Sequence, residues 1–205
     1  MTKITICGIT NEADAILCAE AGADFLGFIF VPSSPRHIEP EKAGEIVRRL
    51  RESANAPKIV GVFQDASADS IREIGNVVFL DLVQLHGNES DDDISDLGMP
   101  AIKALHVGAT MPDTPAAPNA AWLLFDTFDE RRGGGTGRRF DWSLLATYDR
   151  SKPFFLSGGL TPDNVVAAVS LVRPEAIDVA SGVEASPGIK DHDKVARLFE
   201  RVRRA

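Results

Sequence analysis

Eight short and almost entirely apolar segments recur along the 205-residue chain, and helical patterns lie between most of them. Apolar runs without polar alternation are typical of parallel strands that are buried on both faces. A doubly wound sheet would take six or seven such strands, whereas eight strand-then-helix units fit a closed barrel. We therefore predict an α/β fold, a compact single-domain (β/α)8 TIM barrel spanning residues 1–205, with strands at 4–7, 25–30, 59–63, 82–85, 102–105, 122–125, 154–156 and 177–179.

Start and stop signals locate four of the helices. One is predicted over 11–21, ending at a left-handed cap on Gly22, and a second over 40–52, beginning with a proline. A third is predicted over 162–171, with Thr161 as its N-cap, and a fourth over 191–204. Two crossovers are weak: 90–97 is short and acidic, and 108–119 contains three prolines, so no regular helix is predicted there.

The composition of the chain indicates which binding partners and which cellular compartment to expect. The formal net charge of −8 argues against nucleic acid as a partner, since such binding depends on neutralising phosphates. No apolar run approaches the ~20 residues of a membrane span, and the first residues lack the layout of a signal peptide. The two cysteines form no disulfide framework. We expect a reduced, cytoplasmic protein.

Glycines follow the seventh and eighth predicted strands. In such barrels the loops at the carboxyl ends of the strands carry the chemistry, and these two loops often bind phosphate through backbone N–H groups. Ser157-Gly158-Gly159 and Ser181-Gly182 occupy these loops. Tight turns alone would also explain the glycines, but two such pairs at these positions favour a phosphate site.

A third glycine stretch, 133–137, lies between two pairs of arginines, Arg131/Arg132 and Arg138/Arg139. It matches neither the Rossmann fingerprint nor the P-loop pattern. A lid over an anionic ligand and an ordinary surface loop are both compatible with this stretch.

Cys7 and Asp126 are the candidate reactive groups. Cys7 occupies the last position of the first strand, where a thiol could act as a base if its surroundings favour the thiolate. Asp126 interrupts the apolar run WLLFDT, and a carboxyl group at that depth must be hydrogen-bonded or used. Cys18 is interpreted as a core residue. The four histidines show no metal-ligand spacing, so no metal is expected.

The order and spacing of many short motifs resemble the phosphoribosylanthranilate isomerase family of tryptophan biosynthesis over nearly the whole chain. The matching motifs are ICGIT at 6–10, GFIF at 27–30, SPR at 34–36, VGVF at 60–63, QLHG at 84–87, FDT at 125–127, GGTG at 134–137, FDW at 140–142, LSGGL at 156–160, DVASGVE at 178–184 and SPGIKD at 186–191.

The resemblance implies a cofactor-free isomerase, which converts N-(5′-phosphoribosyl)anthranilate to 1-(2-carboxyphenylamino)-1-deoxy-D-ribulose 5-phosphate by general acid–base catalysis. Carried over to matching positions, Asp126 would be the acid, Cys7 the base, and Arg36 the partner of the anthranilate carboxylate. The phosphate would bind Gly158, Gly159, Ser181 and Gly182. His86 and Asp178 also match family positions, as substrate-binding or as hydrogen-bonded structural residues. A monomer or homodimer is expected.

One position departs from the family, which usually has lysine two residues before the cysteine, where this chain has Thr5. Residues two apart on a strand share a face. We hypothesise that Asp178, on the neighbouring eighth strand, is protonated or hydrogen-bonded to Thr5, so that Cys7 receives less help in ionising. Lys3, one layer deeper on that face, could compensate.

Other functions fit the residues less well. The histidine-pathway isomerase of the same barrel type is expected to use two aspartates, and indole-glycerol-phosphate synthase a strand-terminal lysine. An enzyme acting on two substrates stays open, because specificity lies in loop details. A catalytically dead barrel that binds a phosphorylated effector is disfavoured by the intact Cys7, Asp126 and Arg36, and a thiol redox protein by the absence of a Cys-x-x-Cys pair.

Overall fold

The computed structural model describes residues 1–112, 117–127 and 140–205. Its eight parallel strands are hydrogen-bonded in sequence order and close into a barrel, with the last strand beside the first. The strands are β1 (Lys3–Cys7), β2 (Phe25–Ile29), β3 (Lys58–Phe63), β4 (Leu82–Leu85), β5 (Ala101–Val107), β6 (Trp122–Thr127), β7 (Phe154–Leu156) and β8 (Ala176–Val179). The predicted barrel is confirmed, and each predicted strand end lies within two residues of the observed one.

Six α-helices occur in the described part of the chain: α1 (Glu12–Ala21), α2 (Pro40–Leu50), α3 (Ala68–Val78), α4 (Asp91–Ser95), α5 (Val165–Val172) and α6 (His192–Arg203). The described residues between β5 and β6 contain no helix, and those between β6 and β7 form a 3₁₀ helix, Trp142–Thr147. After β8 come a 3₁₀ turn, Ser181–Val183, and a small antiparallel hairpin of β9 (Glu184–Ser186) and β10 (Ile189–Lys190). Among the described helices, none is long and apolar enough to cross a membrane.

The predicted left-handed cap of α1 is confirmed, because Gly22 has φ 95° and its N–H donates to the last turn. The predicted start of the helix after β7 is wrong: α5 begins at Val165, with Asn164 before it. The Asn164 side chain accepts a hydrogen bond from the Thr161 N–H and donates one to the carbonyl of Gly159. These bonds close a separate turn at 161–164, so the α-helix begins after this turn and not at residue 162.

Two apolar layers hold the barrel. A large cluster lies between the strands and the surrounding helices. A smaller one fills the barrel interior, with Phe25, Val60, Leu82, Ile102, Ala104, Leu124, Phe155 and Ala176. Most of these interior residues lie in the first half of their strands. The amino-terminal half of the interior is therefore packed with side chains, so that chemistry can take place only at the carboxyl ends.

Candidate active site

The Cys7 side chain is buried at the carboxyl end of β1. It pairs in register with Gly27 of β2, and a Cβ atom on Gly27 would lie 2.7 Å from the Cys7 sulfur. The missing side chain at Gly27 thus makes room for the thiol. Burial raises the pKa of Cys7 well above its usual value, as does the nearby Asp178, while Lys190 and Arg36 act in the opposite direction. The thiol is therefore largely protonated at neutral pH.

Asp126, near the end of β6, and His86, which directly follows β4, form a contact pair at the barrel mouth; Asp126 is buried and His86 half-buried. The His86 Nε2 atom lies 3.2 Å from the Asp126 Oδ2 atom, and the Gln84 amide nitrogen lies 3.1 Å from the His86 Nδ1 atom. Because the Gln84 amide donates to Nδ1, Nε2 carries the hydrogen that is donated to Asp126. The backbone N–H of Thr127 donates to the other carboxylate oxygen, Oδ1, at 2.7 Å. Asp126 is therefore held in one orientation through both of its oxygens.

The two predicted phosphate loops lie against each other and against Asp126. Gly158 and Gly159 have φ 86° and 65°, a conformation that favours glycine. A Cβ atom on Gly158 would lie 2.9 Å from the Asp126 Oδ1 atom, and one on Gly182 would overlap the carbonyl oxygen of Leu160. The close approach of these backbones requires glycine at both positions.

Arg36 is buried beside Cys7, and its ionic partner is Glu184. The Arg36 Nε atom lies 2.9 Å and its Nη2 atom 2.7 Å from the Glu184 carboxylate. A Cβ atom on Gly8 would lie 2.7 Å from the Arg36 Cδ atom. The side chain of Arg36 therefore lies directly over the residue that follows Cys7.

Thr5 and Asp178 face each other on the rung below Cys7, as the neighbouring positions of β1 and β8 predict. Both are buried, and neither the Thr5 hydroxyl nor the Asp178 Oδ1 atom has a hydrogen-bond partner. The hypothesised hydrogen bond between them is thus wrong. The other alternative, protonation, is consistent with the electrostatics: burial and the charge of Asp126 raise the pKa of Asp178 to about 7.

The expectation that Lys3 compensates for Thr5 is also wrong. Its ammonium group lies over the rings of Phe25 and Trp122, 5.9 Å and 5.6 Å from their centroids. This position is at the amino end of the barrel, because Lys3 is the first residue of β1. A lysine side chain that packs on two aromatic rings there does not reach the rung of Cys7.

The predicted site residues thus gather at one end of the barrel. Cys7 ends β1, and Arg36 reaches it from the loop after β2. Asp126 lies on β6, His86 directly follows β4, and the glycines come from the loops after β7 and β8. Asp178 lies on β8, between the strands of Cys7 and Asp126 in the barrel order, and interacts electrostatically with both residues.

Comparison with known proteins identifies the family to which this arrangement belongs. The sequence model of N-(5′-phosphoribosyl)anthranilate (PRA) isomerase matches residues 4–201. The chain belongs to the PRA isomerase family. A family member from Pseudomonas aeruginosa (strain LESB58) is 47% identical over 204 residues, covering 98% of this chain and 95% of that protein.

Solved structures of PRA isomerases agree with this assignment. The crystal structure of the Thermotoga maritima phosphoribosyl anthranilate isomerase has a TM-score of 0.89 at 40% identity, with both chains fully covered. A second PRA isomerase structure, in complex with reduced 1-(o-carboxyphenylamino)-1-deoxyribulose 5-phosphate, has a TM-score of 0.86 at 39% identity and full coverage of both chains.

Two ionic residues of the PRA isomerase site carry no role in the sequence interpretation. Glu184 and Lys190 both occur within the motifs that carry the resemblance, but nothing local shows that they are buried or that they face Arg36. In the fold they form a buried ion pair, 3.0 Å apart, in the hairpin after β8. The only sequence signal for this ion pair is that an acidic and a basic residue both occur in the motifs that follow the last strand.

Two further expectations concern metal binding and the third glycine stretch. No group of three or more His, Cys, Asp or Glu side chains within residues 1–112, 117–127 and 140–205 is arranged to hold a metal ion. The glycine stretch 133–137 and its four flanking arginines lie outside the described residues.

Proposed function

We propose that this chain is an isomerase of tryptophan biosynthesis that converts N-(5′-phosphoribosyl)anthranilate to 1-(2-carboxyphenylamino)-1-deoxy-D-ribulose 5-phosphate. The observation that carries the proposal is the placement of Cys7 on β1 and Asp126 on β6, at the open end of a PRA isomerase barrel, with Asp178 on β8 between those two strands in the barrel order. A base and an acid on different strands can act on two atoms of one small substrate.

Asp126 acts first, as the general acid. Its proton is transferred to the ring oxygen of the ribose while the bond between that oxygen and the anomeric carbon breaks. The lone pair of the anthranilate nitrogen forms the double bond of the resulting Schiff base, so no cofactor is needed as an electron sink. The form of Asp126 that reacts is the protonated carboxyl group, and the bonds from His86 and the Thr127 N–H hold this group in one orientation.

Cys7 acts second, as the general base. Its thiolate takes the proton from the second sugar carbon, and the electrons of that C–H bond form an enolamine, which tautomerises to the ketone. The raised pKa of Cys7 makes the thiolate a minor species at neutral pH, and the positive charges of Arg36 and Lys190 stabilise it. We therefore expect the rate to rise with pH on the alkaline side.

The two anionic ends of the substrate have separate partners in this proposal. Arg36 binds the anthranilate carboxylate, for which the planar fork of guanidinium donors is suited. The phosphate binds the backbone N–H groups of the two adjoining loops, at Gly158, Gly159, Ser181 and Gly182. His86 is assigned to Asp126 rather than to the substrate, since the two side chains contact each other.

The cellular setting follows from the same proposal. A biosynthetic enzyme of this kind acts on a small soluble metabolite, which agrees with a cytoplasmic location. A monomer or a homodimer would both be compatible with a site that this chain forms by itself; the Thermotoga maritima relative is described as dimeric.

The deciding experiment measures turnover of freshly prepared N-(5′-phosphoribosyl)anthranilate by the loss of its fluorescence. Wild-type protein is expected to turn the substrate over, and Cys7→Ala and Asp126→Asn to reduce kcat by about 10²–10⁴-fold, the usual contribution of a general acid or base.

Cys18→Ala is the matched control, because Cys18 is an equally buried cysteine on the far side of β1, in α1. It is expected to keep the wild-type rate. Undiminished turnover in folded Cys7→Ala or Asp126→Asn would contradict the assigned roles, and no turnover by the folded wild-type protein would contradict the proposed reaction.

A further inference from the structure

Three ionic side chains form a buried cluster at the barrel mouth. Glu184 lies between Arg36 and Lys190, and the side chains are 4%, 10% and 0% exposed. The two cations and one anion leave one excess positive charge. The carboxylate of Asp14 lies on the Lys190 side of the cluster, where it accepts a hydrogen bond from the Lys190 backbone N–H. The Arg36 side has only Glu184 among the described residues, and a buried charge is costly unless an anion lies beside it.

The Glu184 carboxylate is saturated with donors. It accepts hydrogen bonds from the Arg36 Nε and Nη2 atoms, from the Lys190 Nζ atom at 3.0 Å and from the Gly188 N–H at 3.2 Å. Burial acts to raise the pKa of Glu184, but the bonds from Arg36 and the charge of Lys190 outweigh it and lower the pKa overall. Glu184 is therefore an anion, with no capacity left for a ligand.

Arg36, in contrast, keeps part of its donor capacity. Glu184 takes the side of the guanidinium that bears Nε and one hydrogen of Nη2. The opposite edge, formed by Nη1 and the second hydrogen of Nη2, has no hydrogen bond to any described residue. That edge presents two parallel N–H donors, the arrangement that binds a carboxylate through both oxygens.

The cluster also connects this guanidinium to the strand that carries Cys7. Lys190 donates from its Nζ atom to the carbonyl oxygen of Cys7 at 2.6 Å, and its backbone N–H donates to Asp14 of α1 at 2.8 Å. Lys190 is thus held by Cys7 and Asp14 as well as by Glu184, whereas the guanidinium of Arg36 has Glu184 as its hydrogen-bond partner among the described residues.

We propose that Glu184 is a positioning residue for substrate specificity: by occupying the Nε side of Arg36, it directs the free edge of the guanidinium to the anthranilate carboxylate. The positive charge of Lys190 balances the negative charge of Glu184. The positive charge of Arg36 is therefore available to the carboxylate of the substrate. This inference rests on the proposed function, since it concerns the same substrate.

The test compares two substrates that differ only in the carboxylate, N-(5′-phosphoribosyl)anthranilate and N-(5′-phosphoribosyl)aniline, with product measured by chromatography. Glu184→Gln is expected to raise KM for the anthranilate substrate about 10- to 100-fold, the effect of a small misplacement of a positioned group, with a much smaller change in kcat. KM for the aniline substrate should stay within about 3-fold of the wild-type value.

Two further variants complete the comparison. Arg36→Met is expected to remove the preference for the anthranilate substrate altogether. Glu184→Asp, which keeps the charge on a shorter side chain, is expected to show the same selective rise in KM as Glu184→Gln, but smaller, and it decides the question if Glu184→Gln folds poorly. Asp81→Asn is the control, because it breaks an arginine–carboxylate pair at the amino end of the barrel.

Different outcomes would overturn the proposed function and the role of Glu184. No turnover by wild-type protein would overturn the proposed function. Consider the case in which wild-type protein prefers the substrate with the carboxylate and Arg36→Met loses this preference. If Glu184→Gln and Glu184→Asp then keep the preference, the role of Glu184 alone is overturned. Equal losses on both substrates in the Glu184 variants would also overturn it, because a merely structural role predicts such losses.

Discussion

Thr5 removes a positive charge from the rung below Cys7, and the neighbouring Asp178 is left with an oxygen that has no hydrogen-bond partner. Proteins rarely bury such an atom, since each costs about 1–3 kcal/mol when it is unpaired. A proton on Asp178 removes the larger cost of an unpaired buried charge. Thr5 thus leaves Asp178 without a cationic neighbour at this position of β1, directly below the candidate base.

Thr5→Lys is expected to shift the pH at which Cys7 is half-ionised downward by about one unit, because an ammonium on the same face stabilises the thiolate. Iodoacetamide reactivity of Cys7 against pH measures this, in a Cys18→Ala background so that only one thiol reacts. The same curve with and without Thr5→Lys would show that the position does not influence Cys7.

Asp178 also predicts a pH dependence of stability. Its pKa is about 7 in the fold, whereas the ordinary value for an aspartate side chain is 3.8, so between these two pH values only the folded protein keeps the proton. The associated stability is complete below pH ~4 and is lost as pH rises through 7, a change on the order of 4 kcal/mol. Asp178→Asn should lack this decline.

Urea unfolding at pH 4.5, 6 and 8 measures the free energy of unfolding for both proteins. The wild-type value should fall more steeply with rising pH than that of Asp178→Asn. Parallel profiles would mean that Asp178 is ionised in the fold throughout this range.

At the scale of elements, the strands are the part of the fold that sequence predicts best. They are apolar on both faces, so a run of apolar residues marks each of them. Two strands, β5 and β6, extend two residues beyond their predicted carboxyl ends, and β5 includes a buried lysine, Lys103. Lys103 is tolerated there because it pairs with Glu89 at 2.7 Å, a contact between separate segments that no local pattern reveals.

Helix ends are predicted less well, since they depend on which side chain closes the preceding turn. Gly22 was predictable, because glycine adopts a positive φ without steric cost. The start of α5 was not, because Thr161 and Asn164 are both good capping residues. The Asn164 side chain decides between them through its bond to the Gly159 carbonyl, on the preceding loop.

Gly22→Ala is expected to destabilise the protein by about 1–2 kcal/mol, because a Cβ atom is unfavourable at the left-handed φ of this cap. Activity should not change, since Gly22 lies at the amino end of the barrel, away from the mouth. Urea unfolding and turnover measure the two effects. Glu20→Ala, at an exposed position of the same helix, is the control; an equal loss in both variants would argue against the cap as the cause.

At the scale of the whole molecule, Asp14 joins the first and last units of the barrel. It lies on α1 and accepts hydrogen bonds from the backbone N–H of Lys190 at 2.8 Å and from His192 of α6 at 3.0 Å. Although burial acts to raise its pKa, these bonds and one from Asn11 lower the pKa overall. The closure of the barrel is therefore strengthened by an ionised, buried carboxylate.

Asp14→Ala is expected to reduce the free energy of unfolding by about 2–3 kcal/mol at pH 7, because it leaves the Lys190 N–H without an acceptor. The pKa of Asp14 is lower in the fold, so its contribution is present above pH ~4 and is lost as pH falls through the folded value. The difference in the free energy of unfolding between Asp14→Ala and the wild-type protein should therefore be smaller at pH 3 than at pH 7.

Urea unfolding at the two pH values provides the measurement. Asp163→Ala removes a mostly exposed ion pair with Arg197 and is expected to change stability by less than about 1 kcal/mol. A loss from Asp14→Ala that is no larger than this control would show that the contact does not help to close the barrel.

The sequence by itself determined the barrel, the order of its strands and the loops that carry the candidate acid, base and phosphate site, because apolar runs and short motifs are local features of the chain. Only the tertiary structure decided what surrounds those groups. Arg36 and Glu184 are 148 positions apart, and Thr5 faces Asp178 only because β8 closes against β1. Burial and charge pairing arise from that closure, and they decide which protonation state each group adopts.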